Sequence, residues 1–334
     1  DPLSYGRDFD FSRTFFEQYF GLWKVVPRMA LFISGDTLEN SDYVNLAGDL
    51  KNCYLIGEAV YDEDCYYSNR VFHSKNVVDC STSYNNEIMY ECIECLSSQR
   101  LFYSQDCQQC HDSYFLKNCN ACADCIGCIN QRHKQFMIFN KQYDKEQYEK
   151  RKADMRLDTL EGVQKLRQQC DDFFKTEPQR DRIEENNQYS LGDHLYNSKN
   201  TTMSFDCKDM EDCKYCLRTF NVKDSMDYSS WGDKAELIYE CISCGDNVYN
   251  LKFCANCLMS CSNLEYCQHL ASSSDCFGCV GLKRKKYCIL NKQYSKEEYE
   301  KLVARVIEHM KTTGEYGRFF PIEFASHGYN ATLA

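Results

Sequence analysis

The sequence contains no apolar run long enough to cross a membrane and no recognisable signal peptide. It also lacks an excess of basic residues: 39 Lys and Arg stand against 50 Asp and Glu, for a net charge of −11. Neutralising phosphates requires the opposite balance, so nucleic-acid binding is not expected. There is no P-loop, no dinucleotide fingerprint and no G-x-S-x-G elbow. The seven histidines (His73, His111, His133, His194, His269, His309 and His327) do not recur between the two halves described below. That argues against a positioned Cys–His nucleophile and, with the missing motifs, against an enzyme. Paired carboxylates of the kind used in glycoside hydrolysis stay open, because acids abound and their pairing in space is not legible. The chain opens at Asp1-Pro2 without a methionine, which is expected of a fragment or a processed product whose targeting information is missing.

Cysteine and aromatics are abundant instead, with 24 Cys, 25 Tyr and 20 Phe in 334 residues. Small disulfide scaffolds reach such cysteine densities because they lack a core. This chain is 43% apolar and long enough for two domains, so it has no such need. The excess points to metal ligation, stacked buried thiols, or both. In the cytoplasm, the expected location, thiols or thiolates are favoured over disulfides.

A duplication is plain. Residues 125–150 (CIGCINQRHKQFMIFNKQYDKEQYEK) match residues 276–301 (CFGCVGLKRKKYCILNKQYSKEEYEK) at 14 of 26 positions, at an offset of 151. A finer beat runs through Cys53, Cys65, Cys80, Cys92, Cys107 and Cys119, with spacings alternating between 12 and 15, a 27-residue double unit. Between these points lie short apolar stretches broken by Asn, Asp and Ser, which read as brief strands and turns. The expected fold is mainly β: two tandem, pseudo-symmetric, cysteine-rich β-solenoid lobes, each followed by a helical segment. A chain of zinc-ribbon-like knuckles is the alternative.

The expected organisation is a lead-in at 1–48, a first lobe at 49–142, a helical segment at 143–177 and a linker at 178–192. A second lobe at 193–294, a helix at 295–313 and a docking tail at 314–334 follow. Asp144 with Gln147, and Ser295 with Glu298, are N-cap pairs of the capping-box type.

The densest chemical signal is the series of Cys-x-x-Cys pairs. Its candidate metal ligands are Cys92, Cys95, Cys107, Cys110, Cys119, Cys122, Cys125, Cys128, Cys213, Cys216, Cys241, Cys244, Cys254, Cys257, Cys276 and Cys279. Two residues between thiols let both sulfurs face one tetrahedral ion, which makes zinc the expected cofactor. The competing reading is a core of buried thiols, which pack as small hydrophobes. Serine in the second place of DCYYS and DCSTS favours it for the early repeats. The string CNACADCIGC (119–128) resembles an iron–sulfur cluster motif, one residue short in its last spacing and with no following proline. CQQCH, Cys107 to His111, has the form of a c-type haem attachment, but Leu258 takes the place of the histidine in the second half. Rows of Tyr and Phe could stack on sugars or on a partner, although strand aromatics more often pack as core.

The phrases YGRDFDFSRTFFEQY (5–19), LENSDYVNLAGDLKNCYL (38–55) and CFGCVGLKRKKYCILNKQYSKEEYEKL (276–302) resemble a group of uncharacterised cysteine-rich repeat proteins of uncultivated candidate-phylum bacteria with reduced genomes. The resemblance spans nearly the whole chain. It implies repeat architecture, metal binding and a zinc-ribbon-like segment ahead of residue 1, and it brings no activity.

The expected function is a non-enzymatic, zinc-stabilised repeat scaffold or binding protein whose partner is a protein or a second copy. The alternatives are an iron–sulfur electron-transfer protein and an exported adhesin or carbohydrate binder.

Overall fold

From Asn40 to Phe139 every third residue has a left-handed backbone, with φ between 45° and 62°. Glycine, asparagine and aspartate enter this region most easily, yet Tyr61, Tyr67, Glu91, Tyr103 and Phe115 occupy it here. Hydrogen bonding holds them there. The N–H of most left-handed residues reaches a carbonyl in the previous turn of the repeat, as in Leu55 to Asp42 (3.2 Å), Tyr67 to Tyr54 (3.1 Å) and Tyr103 to Tyr90 (2.9 Å). The N–H just before it points the other way, as in Tyr54 to Cys65 (3.1 Å) and Tyr66 to Val77 (2.8 Å). The third residue of each triplet faces inward, and every third residue from Val44 to Cys128 is buried.

The computed structural model describes residues 1–27, 31, 33–208, 252 and 265–321. They belong to two units, Met29–Gln179 and a second formed by Asp1–Arg28 with Arg180–Ala334. Four α-helices occur among the described residues: α1 (Phe15–Val25), α2 (Lys145–Asp154), α3 (Leu160–Thr176) and α4 (Lys296–Thr312).

The Met29–Gln179 unit holds one 14-stranded sheet. Its strands are β1 (Leu38–Glu39), β2 (Asn45–Lys51), β3 (Gly57–Glu63), β4 (Asn69–Phe72), β5 (Lys75–Val78), β6 (Ser81–Tyr84) and β7 (Glu87–Tyr90). They continue as β8 (Ile93–Leu96), β9 (Gln99–Phe102), β10 (Gln105–Gln108), β11 (His111–Tyr114), β12 (Ala123–Ile126), β13 (Gln135–Ile138) and β14 (Lys141–Gln142). Two arms leave β3: β4-β6-β8-β10 and β5-β7-β9-β11-β12-β13. All of these pairs are parallel and share one register step, the step from Val71 to Ser83 and from Met89 to Leu101. β14 alone among these strands turns back antiparallel on β13. Inward residues of both arms share one apolar cluster, among them Val71, Cys95 and Cys107 with Val77, Met89 and Leu101.

Two expectations are corrected. The chain is not a mainly β pair of solenoid lobes. Its described residues form a mixed α/β fold, with one large, mostly parallel sheet whose pairing path runs open from β10 to β14, together with several helices. The double unit is also not the repeat. The true repeat is the shorter of the two cysteine spacings, the step that carries Val71 onto Ser83. The inward positions fall into four series that each advance by this step, and the longer spacing is one step plus one triplet. Cys53 and Cys65 lie in one series, Cys80 and Cys92 in the next, and Cys107 and Cys119 in a third.

The helices follow their caps. Asp144 accepts from the N–H of Gln147, and Ser295 with Glu298 forms a complete capping box. α2 and α3 bury Tyr148, Leu166 and Cys170 against Phe115, Ile126 and Ile138.

The other unit contains β15 (Glu184–Glu185), β16 (Leu191–Tyr196) and β17 (Thr202–Lys208). There Glu184 pairs with Leu195 and Leu191 with Thr202, one position short of the usual step. A register shift at Leu191/Gly192 restores it, so that Gly192 pairs with Ser204. The unit also contains β18 (Ser274–Phe277), β19 (Lys286–Ile289) and β20 (Lys292–Gln293). β18 and β19 pair at the same step as in the first unit, Cys276 with Cys288. β20 closes β19 antiparallel, as β14 closes β13. Helix α1 comes from within the lead-in. It buries Phe15, Tyr19 and Leu22 among Tyr266, Phe277, Leu290, Tyr299 and Val306. The N–H groups of Phe15 and Phe16, free at a helix start, donate to the carboxylate of Glu315 (3.0 and 2.8 Å).

Candidate functional site

Ten of the sixteen candidate ligands are described: Cys92, Cys95, Cys107, Cys110, Cys119, Cys122, Cys125, Cys128, Cys276 and Cys279. All ten are buried free thiols. Cys213, Cys216, Cys241, Cys244, Cys254 and Cys257 lie outside the described residues.

The triplet backbone explains the thiols. The N–H of an inward residue points into the core, and a buried donor needs an acceptor. Small polar side chains one step earlier supply it. Ser68 Oγ accepts from the N–H of Cys80 (3.0 Å), Ser98 from Cys110 (3.1 Å), Ser104 from Leu116 (3.0 Å) and Ser113 from Cys125 (3.0 Å). Sulfur does the same: Cys80 Sγ accepts from the N–H of Cys92 (3.3 Å), and Cys279 Sγ from Asn291 (3.4 Å). Cys119, Cys122, Cys125 and Cys128 take the N–H of Gln131, Lys134, Met137 and Asn140 in the same way. Each thiol also donates to the carbonyl two residues before it, as Cys92 does to Tyr90 (3.4 Å) and Cys110 to Gln108 (3.3 Å).

The expected cofactors are therefore corrected. Among the described residues no group of three or more His, Cys, Asp and Glu could hold a metal ion. The physical reason is the spacing of the inward series. Two cysteines three apart face the core in neighbouring series, and each of these sulfurs already donates to a backbone carbonyl. Zinc thus has no converging thiolates there. The four cysteines of CNACADCIGC are distributed over four series, which is no cluster cradle. In CQQCH, Cys107 and Cys110 are buried while His111 is exposed on the outer side, Nδ1 3.0 Å from Asp112, so the haem pattern is split across the strand. Hydrogen bonds to Cys107 and Cys122, followed by burial, hold the Cys110 thiol far above its ordinary range.

One inward carboxyl stands out. Asp62 is buried, accepts the N–H of Ser74 on one oxygen (2.8 Å), and has no hydrogen-bond partner for the other. Burial raises its pKa to about 8, opposed by the Ser74 hydrogen bond. Two steps on, Asn86 does the same work with an amide. It accepts from Ser98 N–H (2.7 Å) and donates to Ser83 Oγ and the Cys95 carbonyl.

The outer surface divides the aromatics. Phe102 stacks on Tyr114 (4.9 Å between ring centres) and Tyr103 on Phe115 (4.7 Å), and α2 and α3 pack against Tyr103, Tyr114 and Phe115. These follow the core reading. Tyr43, Tyr54 and Tyr67 form a second row, with ring centres 5.4 and 5.9 Å apart, and it is open to solvent: Tyr43 is 73% and Tyr67 56% exposed. Leu55, between Tyr43 and Tyr67 in the same outward series, is also exposed. The sequence suggests rows of Tyr and Phe without singling out this one; the even spacing of Tyr43, Leu55 and Tyr67, equal to that of Cys53 and Cys65, is the signal that marks it. No helix among the described residues is long and apolar enough to cross a membrane. No protein-family model matches the chain, and no curated protein does.

Proposed function

We propose that this chain is a non-enzymatic scaffold that binds a protein partner through the open aromatic row of Tyr43, Tyr54, Leu55 and Tyr67. The observation that carries the reading is the exposure of that row on a hydrogen-bonded backbone. Large aromatics held rigidly at a surface lose little entropy on binding and are typical anchors of interfaces. The inward side chains, by contrast, are taken up with satisfying the backbone, and this supports a structural role for the thiols. Seventeen described free thiols, many with a neighbour one step away, fit a reducing compartment such as the cytoplasm. The resemblance to cysteine-rich proteins of candidate-phylum bacteria agrees with such a scaffold.

The test is a displayed library of random peptides panned against the purified chain and against Tyr43→Asn/Tyr67→Asn. Asparagine suits the left-handed backbone at both places, so the fold is retained. Clones enriched on the wild-type chain and lost on the variant are expected. Equal enrichment on both overturns the reading, as does turnover in a broad hydrolase panel that a single carboxylate or cysteine substitution abolishes.

A further inference from the structure

The exposed row belongs to a longer outward series, which reads Tyr43, Leu55, Tyr67, Asp79, Glu91, Tyr103, Phe115 and Gly127 at successive steps of the repeat. Its second half is already covered. Helix α3 presents Val163, Leu166, Cys170 and Phe174 to the cluster that contains Tyr103 and Phe115. Arg167 pairs with Glu91 (2.6 Å) and lies over the rings of Tyr103 (4.9 Å) and Phe115 (5.7 Å). At Gly127 the approach is so close that an added Cβ would stand 3.0 Å from Cys170 Sγ. The other unit repeats this arrangement with a helix from a different part of the chain: a Cβ on Gly278 would stand 2.7 Å from Phe15 of α1.

The first half of the series has the same grammar in reverse. Asp79 adjoins Tyr67 as Glu91 adjoins Tyr103, and both Asp79 and Asp42 are exposed beside the tyrosines. Resting on the scaffold reading above, we infer that Tyr43, Leu55 and Tyr67 form the docking face for an amphipathic, basic α-helix of a partner protein. Its apolar stripe would lie on the three side chains, and an Arg or Lys would pair with Asp79. Two arguments select this occupant. The face is continuous with one that a helix covers by this means in the same unit, and its acidic rim, on a chain of net charge −11, favours a cationic partner.

The probe is a synthetic peptide of residues 160–176 with blocked ends, carrying Cys170→Ser together with Asp171→Asn and Asp172→Asn so that the helix is net basic, labelled and titrated with the whole chain by fluorescence anisotropy. Its control is the same peptide with proline at two central positions, which cannot form the helix. Saturable binding of the first peptide alone is expected, weakened tenfold or more by Tyr43→Asn/Tyr67→Asn and by Asp79→Lys. An Arg167→Glu change in the peptide should weaken binding to the wild-type chain and recover it on Asp79→Lys. No saturable binding overturns the inference, and so does binding untouched by these substitutions, which would mark exchange at the place of α3. Sedimentation of the free chain adds a further test: self-association lost in Tyr43→Asn/Tyr67→Asn means a second copy takes the face, and also overturns it. If panned clones need the tyrosines but tolerate proline, the helix is wrong while the scaffold reading stands.

Discussion

The duplicated closing segments, 125–150 and 276–301, make the sharpest comparison in the molecule. Both run from a parallel strand pair, Cys125 with Met137 and Cys276 with Cys288, into a short antiparallel strand and then a capped helix. Both use an asparagine side chain to accept a strand N–H: Asn140 from Ile129 (3.0 Å) and Asn291 from Val280 (2.8 Å). They differ in what covers the glycine. Gly127 lies under Cys170 of α3, the second helix to follow in sequence, whereas Gly278 lies under Phe15, from a helix near residue 1. One kind of surface has accepted two unrelated helices. Side-chain complementarity therefore decides what packs there, and connectivity does not.

The largest test of this equivalence is steric. Alanine at Gly278 should destabilise its unit by about 2–4 kcal/mol, combining left-handed strain with overpacking against an aromatic ring. The same change at Gly127, where the atoms met are the Phe139 ring and a sulfur, should cost about as much. Denaturant melts read both, and Phe15→Leu should relieve the first without touching the second.

Next comes the interior rule. Cys128 and Cys279 occupy equivalent places and accept equivalent N–H groups, from Asn140 and Asn291. Valine at either should cost about 1–3 kcal/mol by leaving that donor unpaired, and serine should cost less. Unequal losses in the two units would break the comparison.

A third test uses Asp62 against Asn86. The folded-state pKa of Asp62, about 8, lies above the ordinary carboxyl value, so the unfolded chain ionises first and stability falls as pH rises from about 4 to 8. Asp62→Asn should remove that slope. The variant should match the parent near pH 3 and exceed it by roughly 2 kcal/mol at pH 9, as a conservative fraction of about 1.4 kcal/mol per pH unit. Stability measured across pH settles it.

The smallest effect concerns how the helices are pinned. Arg167→Ala should loosen α3 by about 0.5–1 kcal/mol, since the Glu91 pair and the ring contacts are partly exposed. Hydrogen exchange in α3 should quicken while that in α1 is unchanged.

Part of this was legible in the residues. Asp144 and Ser295 announced their helices because capping is a local matter. α1 carried the same kind of signal in Thr14-x-x-Glu17, and Thr14 does accept the Glu17 N–H, but the aromatic density after it obscured the pattern. The repeat step was visible in Cys53 to Cys65 and hidden at Cys80, because a move to the next inward series adds a triplet. The left-handed triplet left only a partial mark: Asn52, Asp64, Asp79, Asp106 and Asn118, each just before a cysteine, suit that backbone, whereas Tyr61, Glu91 and Phe115 carry no preference for it and are held there by hydrogen bonds to the previous turn of the repeat. The Cys-x-x-Cys spacing suggested metal because sequence shows separation along the chain and not which way each sulfur's proton and lone pair are directed.

The antiparallel strands β14 and β20 have a consequence for how such a protein can change size. Each lies on the last parallel strand of its stack and hides the unpaired edge that another strand could extend. Growth at that end is blocked, so a change of length beside it falls to insertion or loss in the interior. There, whole repeats keep every inward side chain inward and in its own series, whereas a partial one turns the remainder of the stack out of phase unless a register shift such as that at Leu191/Gly192 absorbs the difference. Lineages of this molecule should differ in length by quanta.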